Sequence, residues 1–245
     1  MAVPEIPPSS VVAAGAKDWR LSVVVPVLDE ESGIAATLAA VRAELCADDE
    51  LIVVDGGSRD RTVELAAAAG AQVVESGRGR GRQMNLGAAR ASGDLLLFLH
   101  ADTALPPGAR AALGETVFAQ GADWGRFDLE FDAGGPLLRL IAWLISTRSR
   151  IFRSATGDQA IFVRRCVFAE MGGHGEEQLF EDVELVLRLK ASYQMGIPRG
   201  RVVTSSRRWR NRGVWSTTLT MWSLKTLYLL GVPSEKLMGF YKDER

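Results

Sequence analysis

The sequence predicts an α/β protein whose mostly parallel sheet is covered by helices on both faces. The first observation is a set of short, continuous apolar runs rich in β-branched residues, of which residues 21–28 (LSVVVPVL) are the clearest. Such runs are typical of parallel strands that are buried on both faces. The second observation is that these runs alternate with helical segments over roughly the first 120 residues, and this alternation indicates parallel pairing.

The first half of the chain repeats a unit of one strand and one helix with short connections. After the strand at residues 21–28, we expect a helix at residues 33–45. The repeat then predicts strands at residues 50–55, 71–75 and 94–99, and helices at residues 61–69, 82–91 and 107–119.

In the second half the rhythm changes, and a mixed extension of the sheet is the simplest interpretation. A strand at residues 124–131, a helix at residues 136–147 and a strand at residues 159–163 are expected first. We then expect a helix at residues 181–190 and a strand at residues 200–204. An arginine-rich turn and two C-terminal helices complete the chain.

The composition excludes several classes of protein. Of the 245 residues, 47% are hydrophobic and 24% are charged, as in an ordinary globular chain. A net charge of −1 provides no basic field of the kind that nucleic-acid binders use. Cys46 and Cys166 lack the spacing of a zinc site and the density of a disulfide scaffold, which favours a reduced, cytoplasmic chain.

The two ends of the chain predict no segment that crosses a membrane. Residues 1–16 lack the basic and apolar regions of a signal peptide, so a flexible tail is expected. Residues 214–232 are apolar but are interrupted by polar residues, which favours an amphipathic helix. We expect its apolar face to pack on the domain, to form a homodimer contact or to lie on a membrane surface. Four residues define this face: Trp215, Leu219, Trp222 and Leu229.

Polar residues stand directly after the predicted strands, where the ligands of parallel sheets bind. His100 and Asp102 follow one strand, and in an extended segment side chains two residues apart point the same way. A carboxylate there suits Mg²⁺ or Mn²⁺ bridging a diphosphate, whereas a solvated strand end is the structural alternative. Asp55 and the glycines after it either permit close ligand approach or form a plain strand-to-helix turn. The first strand is not followed by G-x-G-x-x-G, which argues against a dehydrogenase.

Two acidic clusters interrupt apolar surroundings in the second half of the chain. Asp158 and Gln159 precede a strand, and Glu181 and Asp182 begin a helix. Acidic residues in a first helical turn interact favourably with the helix dipole, which is a sufficient structural explanation. Paired carboxylates also raise one another's pKa, which suits a general base. Local chemistry leaves both interpretations open.

Two basic stretches complete the set of candidate residues. Arg78, Arg80 and Arg82 alternate with glycines, an arrangement that lets backbone amides and guanidinium groups reach the same phosphate. A surface charge run is the alternative. The second stretch, residues 206–212, surrounds Trp209 and superficially resembles a platform for single-stranded nucleic acid. The nearly neutral chain argues against that interpretation.

Taken in order, these motifs resemble those of family-2 glycosyltransferases with the GT-A fold, from about residue 21 to residue 241. The opening strand ends in V-P-x-x-x-E, from Val25 to Glu30, and a turn similar to D-G-S-x-D-x-T follows at residues 55–62 with Gly56 inserted. The D-x-D position is H-A-D, and an E-D pair follows. A subgroup of short bacterial members is also similar in G-R-Q-M-N at residues 81–85, in G-D-Q before a strand and in S-x-R-R-W near the end.

The resemblance implies sugar transfer from a nucleotide-sugar donor to an acceptor hydroxyl, with inversion. Asp102 would bind the divalent metal, Mg²⁺ or Mn²⁺, and Asp182 would be the general base that deprotonates the acceptor hydroxyl. The nucleotide and its diphosphate would be held by Pro26, Glu30, Asp55, Arg80, Arg82, His100, Arg207 and Arg208. Asp55 would accept a hydrogen bond from the nucleobase. His100 stands where the family usually has aspartate. The acceptor would meet Asp158, Gln159, Glu181 and Trp209.

This interpretation divides the chain into a tail at residues 1–20, a catalytic domain at residues 21–211 and C-terminal helices at residues 212–245. The helices would pack on the domain or lie at an interface. A nucleotidyltransferase is one alternative, but such an enzyme would require a glycine-rich phosphate loop after the first strand, and the residues from Pro26 to Glu30 do not form one. A non-catalytic nucleotide-sugar-binding protein is the other, favoured if Asp102 and Asp182 do not share a cleft. A cytoplasmic enzyme with peripheral membrane contact is compatible with all of these features.

Overall fold

The computed structural model of the chain describes residues 19–133, 135–175 and 179–239. The side chains of Arg208, Arg212 and Met238 lie outside this description. The expected tail at residues 1–20 falls almost entirely outside it, so that expectation stays a prediction.

Seven strands form the main sheet. They are β1 (Leu21–Val27), β2 (Glu50–Asp55), β3 (Gln72–Glu75), β4 (Leu95–Phe98), β6 (Trp124–Gly125), β8 (Ile161–Arg164) and β9 (Met195–Gly196). Their spatial order is β3-β2-β1-β4-β8-β6-β9. The first four are parallel, whereas β8 runs antiparallel to both β4 and β6. The expected class, a mostly parallel sheet with a mixed extension, is therefore confirmed.

Three shorter strands form a second sheet in the order β5-β10-β7. They are β5 (Thr103–Ala104), β7 (Asp128–Phe131) and β10 (Arg201–Thr204). The single strand expected at residues 124–131 is thus wrong, because β6 and β7 belong to different sheets. The break falls at Arg126, a fully buried arginine whose guanidinium donates to the carbonyl oxygen of Ser146 at 2.9 Å. A buried cation of this kind must be paired, and the carboxylate of Asp128 and the carbonyl oxygen of Ser146 pair it here.

Helices cover both faces of the main sheet. In the first half they are α1 (Ile34–Glu44), α2 (Thr62–Ala68), α3 (Arg80–Arg90) and α4 (Ala109–Gly114), which continues as a π-helical turn at Glu115–Ala119. In the second half they are α5 (Pro136–Ile151), α6 (Arg165–Glu170), α7 (Glu181–Ser192), α8 (Arg207–Arg212), α9 (Val214–Leu229) and α10 (Ser234–Met238). The arginine-rich segment expected as a turn is the helix α8, and α6, β5 and β9 were not expected from the sequence.

Alternate residues of β1 enter two different apolar clusters, one on each face of the sheet. Val23 and Val25 pack with residues of α1 and α4, whereas Val24 packs with residues of α3 and α7. This two-sided burial explains the continuous apolar run that predicted the strand. On the α3 side, a Cβ at Gly87 would collide with Val24, so the glycine lets the helix approach the sheet closely.

The C-terminal helices contact the domain through a third apolar cluster. Leu224 of α9 and Leu237 of α10 are buried there against Phe180 and Val183 at the start of α7. This contact brings α9 beside the carboxyl ends of the parallel strands. Within the described residues, no helix combines the length and apolar character needed to span a bilayer.

Candidate active site

A cavity of about 260 Å³ opens at the carboxyl ends of β1 and β4. Its wall is formed by these strand ends, by the 3₁₀ turn Gly157–Gln159, by the start of α7 and by side chains of α5, α8 and α9. Ten residues predicted from the sequence line it: Pro26, Glu30, Arg80, His100, Asp102, Asp158, Glu181, Asp182, Arg207 and Trp209. Residues from distant parts of the sequence therefore meet at one place, which is the candidate active site.

Two other predicted residues, Asp55 and Arg82, lie outside the cavity wall. The buried Asp55 carboxylate accepts hydrogen bonds from the backbone N–H groups of Gly57 and Ser58, each at 3.0 Å. It thereby fixes the turn after β2. Arg82 covers the loop before α3, where a Cβ at Gly77 would lie 2.7 Å from its Nη1. The predicted Arg208 side chain is outside the described part of the chain.

Gln159 is fully buried, and its side-chain oxygen is engaged within the protein. The oxygen accepts hydrogen bonds from Oγ of Ser149 at 3.1 Å and from the backbone N–H of Thr156 at 3.2 Å. Contact of Gln159 with the acceptor stays a prediction, and in this structure the side chain is buried. Gln159 holds the 3₁₀ turn against α5.

Asp182 lies in the first turn of α7 and binds the 3₁₀ turn. Its Oδ2 accepts a hydrogen bond from the backbone N–H of Gly157 at 2.6 Å, and its Oδ1 accepts one from the N–H of Val183 at 2.7 Å. Phe180, with a φ of 69°, reverses the chain just before the helix. These contacts fix the direction of the Asp182 carboxylate, which remains partly exposed to the cavity.

Gly157 also touches the end of β4. A Cβ at this position would lie 2.5 Å from Nε2 of His100, so the imidazole packs directly over the glycine. Asp158 follows it on the cavity wall, where its Oδ1 accepts a hydrogen bond from Oγ1 of Thr156 at 2.5 Å. Burial raises the pKa of Asp158, and the neighbouring charge of Asp182 acts in the same direction.

Glu181 is buried and paired. Nη1 of Arg80 lies 3.4 Å from its Oε1, a contact that joins the start of α3 to the start of α7. Burial raises the pKa of Glu181, and Arg80 opposes this change. Next to the pair, burial lowers the pKa of His174 to about 4, so His174 is neutral near pH 7.

Trp209, predicted to meet the acceptor, packs edge-on against Phe131 with ring centroids 5.4 Å apart.

The segment from His100 to Asp102 is a turn, whereas the sequence predicted an extended chain. The backbone N–H of Thr103 donates to the carbonyl oxygen of His100 at 3.1 Å. Asp102 is exposed at the edge of the cavity, and Ala101 is buried. Over the described residues, no three histidine, cysteine or carboxylate side chains cluster as a metal site. A cation bound by Asp102 would therefore take most of its ligands from a bound diphosphate and from water, which is a usual arrangement for Mg²⁺.

Sequence reasoning missed two cations of the cavity, Arg148 of α5 and Lys225 of α9. Burial lowers the pKa of both groups, that of Lys225 to about 8. Asp158 and Asp182 oppose these changes through their charges. A signal for Lys225 was available, because it is the single charged residue of α9. Arg148 carried no such signal, since Arg139 and Arg150 lie on the same helix.

Comparison with known proteins assigns this architecture. Residues 22–167 match the sequence profile described as Glycosyl transferase family 2. A PGL/p-HBAD biosynthesis glycosyltransferase of Mycobacterium tuberculosis is 34% identical over 91 residues, which are 34% of this chain and 36% of the relative. An undecaprenyl-phosphate 4-deoxy-4-formamido-L-arabinose transferase of Pseudomonas aeruginosa is 35% identical over 114 residues, which are 42% and 33% of the two chains. The matches thus span about a third of the length of these relatives.

Solved structures resemble the chain over a longer stretch. Residues 1–349 of TarS from S. aureus superimpose with a TM-score of 0.65 at 16% identity, covering 76% of this chain and 60% of that fragment. The mannosyltransferase PcManGT of Pyrobaculum calidifontis gives a TM-score of 0.59 at 18% identity, covering 76% and 56% of the two chains. At these identities the likeness concerns the fold, which is that of GT-A glycosyltransferases.

Proposed function

Because the chain belongs to glycosyl transferase family 2, we propose that it moves a sugar from a nucleoside-diphosphate sugar to an acceptor hydroxyl, with inversion at the anomeric carbon. One observation carries this proposal: Asp102, Asp158 and Asp182 meet in a single cavity at the carboxyl ends of the parallel strands. The structural relative TarS has also been solved with UDP-GlcNAc, which supports a nucleotide-sugar donor.

The donor nucleotide is proposed to lie beside the end of β1, where Pro26 and Glu30 line the cavity. The predicted contact between Asp55 and the nucleotide base stays a prediction. Asp55 supports this region indirectly, because Ser58, which it holds, accepts a hydrogen bond from the backbone N–H of Asp29 at 2.9 Å. Arg207 is proposed to bind the diphosphate, together with the predicted contacts of Arg82 and Arg208.

A divalent cation, Mg²⁺ or Mn²⁺, is proposed to bind at Asp102. The exposed carboxylate fits such an ion, since hard cations prefer oxygen ligands and the donor diphosphate supplies several. When bound, the cation would neutralise charge on the leaving diphosphate. The structure of PcManGT contains GDP-Man and Mn²⁺, which supports metal use in a protein of similar fold. His100 is proposed to contact the ribose or a phosphate.

Asp182 is proposed as the general base. The acceptor O–H bond breaks as its proton passes to the Asp182 carboxylate, and the oxygen forms a bond to the anomeric carbon. The bond from that carbon to the diphosphate oxygen breaks, and its electron pair leaves with the nucleoside diphosphate. Asp182 suits this role because backbone hydrogen bonds orient it, while a carboxylate keeps lone pairs for a further donor.

Asp158 is the competing carboxylate. Its raised pKa and its hydrogen bond with Thr156 suit a group that orients the acceptor by hydrogen bonding. We therefore expect Asp182→Asn to retain donor binding and to lose about 10²- to 10⁴-fold in turnover. Asp158→Asn should mainly raise the acceptor KM.

The test begins with calorimetric binding of nucleoside diphosphates and nucleotide sugars, with and without Mn²⁺. Turnover is then followed as release of nucleoside diphosphate from the donor, to water or to added acceptors. Asp102→Ala should abolish the Mn²⁺-dependent part of the binding, and the exposed Asp48→Asn serves as a matched control. Release of pyrophosphate from an added nucleoside triphosphate and sugar 1-phosphate would identify a nucleotidyltransferase. Full turnover in Asp182→Asn, with the loss in Asp158→Asn, would reverse the two roles.

A further inference from the structure

The most unusual feature of the cavity is the pair of cations contributed by α5 and α9. Arg148 and Lys225 are both partly buried, and both line the cavity. Nε of Arg148 is buried without a hydrogen-bond partner among the described residues. The charged groups that act on Arg148 are Asp158 and Asp182, and they do so through space and without a hydrogen bond. Asp158 and Asp182 act on Lys225 in the same way, and the charges of Arg148 and Lys190 oppose them.

The fold gives no reason for these charges. A buried cation without a bonded partner is costly, so such groups are rare unless they bind something. Asp158 is a weak counter-charge, because its own pKa is raised by burial. Lys225 is moreover the single charge of α9, a helix whose other residues need no cation to pack. Both groups line the cavity of about 260 Å³ together with Asp158 and Asp182.

Their position favours the acceptor over the donor. Arg148 is influenced by the charges of Asp158 and Asp182, the carboxylates assigned to the acceptor. The two cations are carried by α5 and α9 and line the same cavity as Asp182, whereas the nucleotide is placed at Pro26 and Glu30 after β1. An anion held by them would have its hydroxyl beside Asp182.

We propose that Arg148 and Lys225 bind a phosphate or carboxylate group of the acceptor, so that the acceptor is a hydroxylated anion. This proposal rests on the proposed function and adds the chemical class of the acceptor to it. A guanidinium and an ammonium group together match the charge and the oxygen lone pairs of a phosphomonoester. The phosphomonoester is either a soluble metabolite or a lipid headgroup. The half-exposed Trp222, at 52%, lies at the same cavity and leads to the apolar face of α9.

The experiment uses the full chain saturated with Mn²⁺ and a nucleoside diphosphate. Calorimetry measures binding of inorganic phosphate, of glycerol 3-phosphate and of uncharged glycerol, and flotation measures binding to phosphatidylcholine vesicles with and without phosphatidic acid. The variants are Arg148→Gln and Lys225→Gln. The matched controls are Arg139→Gln on the exposed side of α5 and Lys236→Gln on α10.

We expect saturable binding of the phosphates but not of glycerol. Each site variant should weaken binding of the phosphates about 10- to 100-fold, as expected for a lost charged hydrogen bond, and the controls should leave it unchanged. Nucleoside diphosphate affinity should stay within about twofold in all variants. Loss confined to soluble phosphates would identify a soluble acceptor, and loss confined to phosphatidic acid vesicles a lipid headgroup; both support the proposal.

Two results would overturn it. If neither soluble phosphates nor phosphatidic acid vesicles bind, or if both site variants bind them normally, the cations do not form an anion site. If the variants weaken nucleoside diphosphate as much as glycerol 3-phosphate, the cations serve the donor instead. Failure of the proposed function is distinguishable, because it would appear as absent nucleotide-sugar binding in the unmodified chain.

Discussion

Replacing Lys225 with methionine should make the protein more stable. Burial lowers the pKa of this ammonium group from 10.5 to about 8, and the charge of Arg148 acts in the same direction. Asp182 and Asp158 offset only part of this effect. Methionine keeps the approximate length of the side chain and removes the charge, so Lys225→Met should remove the cost of burying an ammonium group.

The size of the gain follows from the pKa change. The two pKa values of Lys225, 10.5 and about 8, differ by roughly 2.5. Because a pKa difference of one corresponds to about 1.36 kcal/mol, the ammonium form costs about 3 kcal/mol in the folded state. Below pH 8 the lysine is charged in both states, so the whole cost is present. Between pH 8 and 10.5 the folded protein releases the proton first and the cost falls. Above 10.5 the cost is absent.

Urea unfolding in phosphate-free buffer measures this effect. At pH 7, Lys225→Met should raise the free energy of unfolding by about 3 kcal/mol, and at pH 9 by about 2 kcal/mol. Lys236→Met, an exposed change on α10, should stay within about 0.5 kcal/mol. Phosphate in the buffer should reduce the gain, because only the unmodified protein would bind it at Lys225. A variant less stable than the parent at pH 7 would refute the reasoning, since the ammonium group would then have a stabilising partner.

Three further predictions concern the 3₁₀ turn, the acceptor site and α9. Gly157→Ala places a Cβ 2.5 Å from Nε2 of His100. It should therefore lower the free energy of unfolding in urea by about 1–3 kcal/mol and weaken Mn²⁺-dependent nucleotide binding. Unchanged values would mean that the imidazole moves freely. The affinity for glycerol 3-phosphate should fall as pH rises through about 8, where Lys225 loses its proton. The Lys225→Gln variant should lose this pH dependence. An affinity in the parent protein that does not change with pH, measured by calorimetry, would contradict the prediction. The charged groups that face Lys225 are Arg148, Asp158, Asp182 and Lys190. The double variant Trp215→Glu, Leu219→Glu should retain the fold, because both side chains are more than 60% exposed. It should abolish dimers, measured by light scattering, or liposome binding, measured by flotation. Unchanged behaviour in both assays would exclude an interface role for this face.

The first half of the fold was predictable because each strand carries its own signal. The run at residues 21–28 is apolar apart from Ser22 because β1 is buried on both faces, and that property is local. The second half depends on tertiary pairing. Arg126, which follows β6, bonds the nearby Asp128 and also the carbonyl oxygen of Ser146 in α5, and the sequence does not indicate the second of these partners. The same reason explains why β9, with two residues, was not expected.

The candidate site divides in the same way. Asp102 and Asp182 were found because they occupy motif positions after a strand and at a helix start. Gln159 occupies a motif too, but its burial against Ser149 is a property of the folded packing that the motif does not show. Arg148 was missed because nothing in α5 distinguishes it from its neighbours until α9 is brought beside it.

The contacts of Gly157 have a thermodynamic consequence. Its backbone N–H donates to Asp182, and its α-carbon lies against the imidazole of His100 with no space between them. One residue therefore touches both His100, which is proposed to contact the donor, and Asp182, which is proposed to act on the acceptor. If donor binding shifts the imidazole, the turn has to follow and carry the carboxylate with it. Occupancy of the two substrate sites is then reciprocally linked, so each substrate should change the affinity of the other by the same factor.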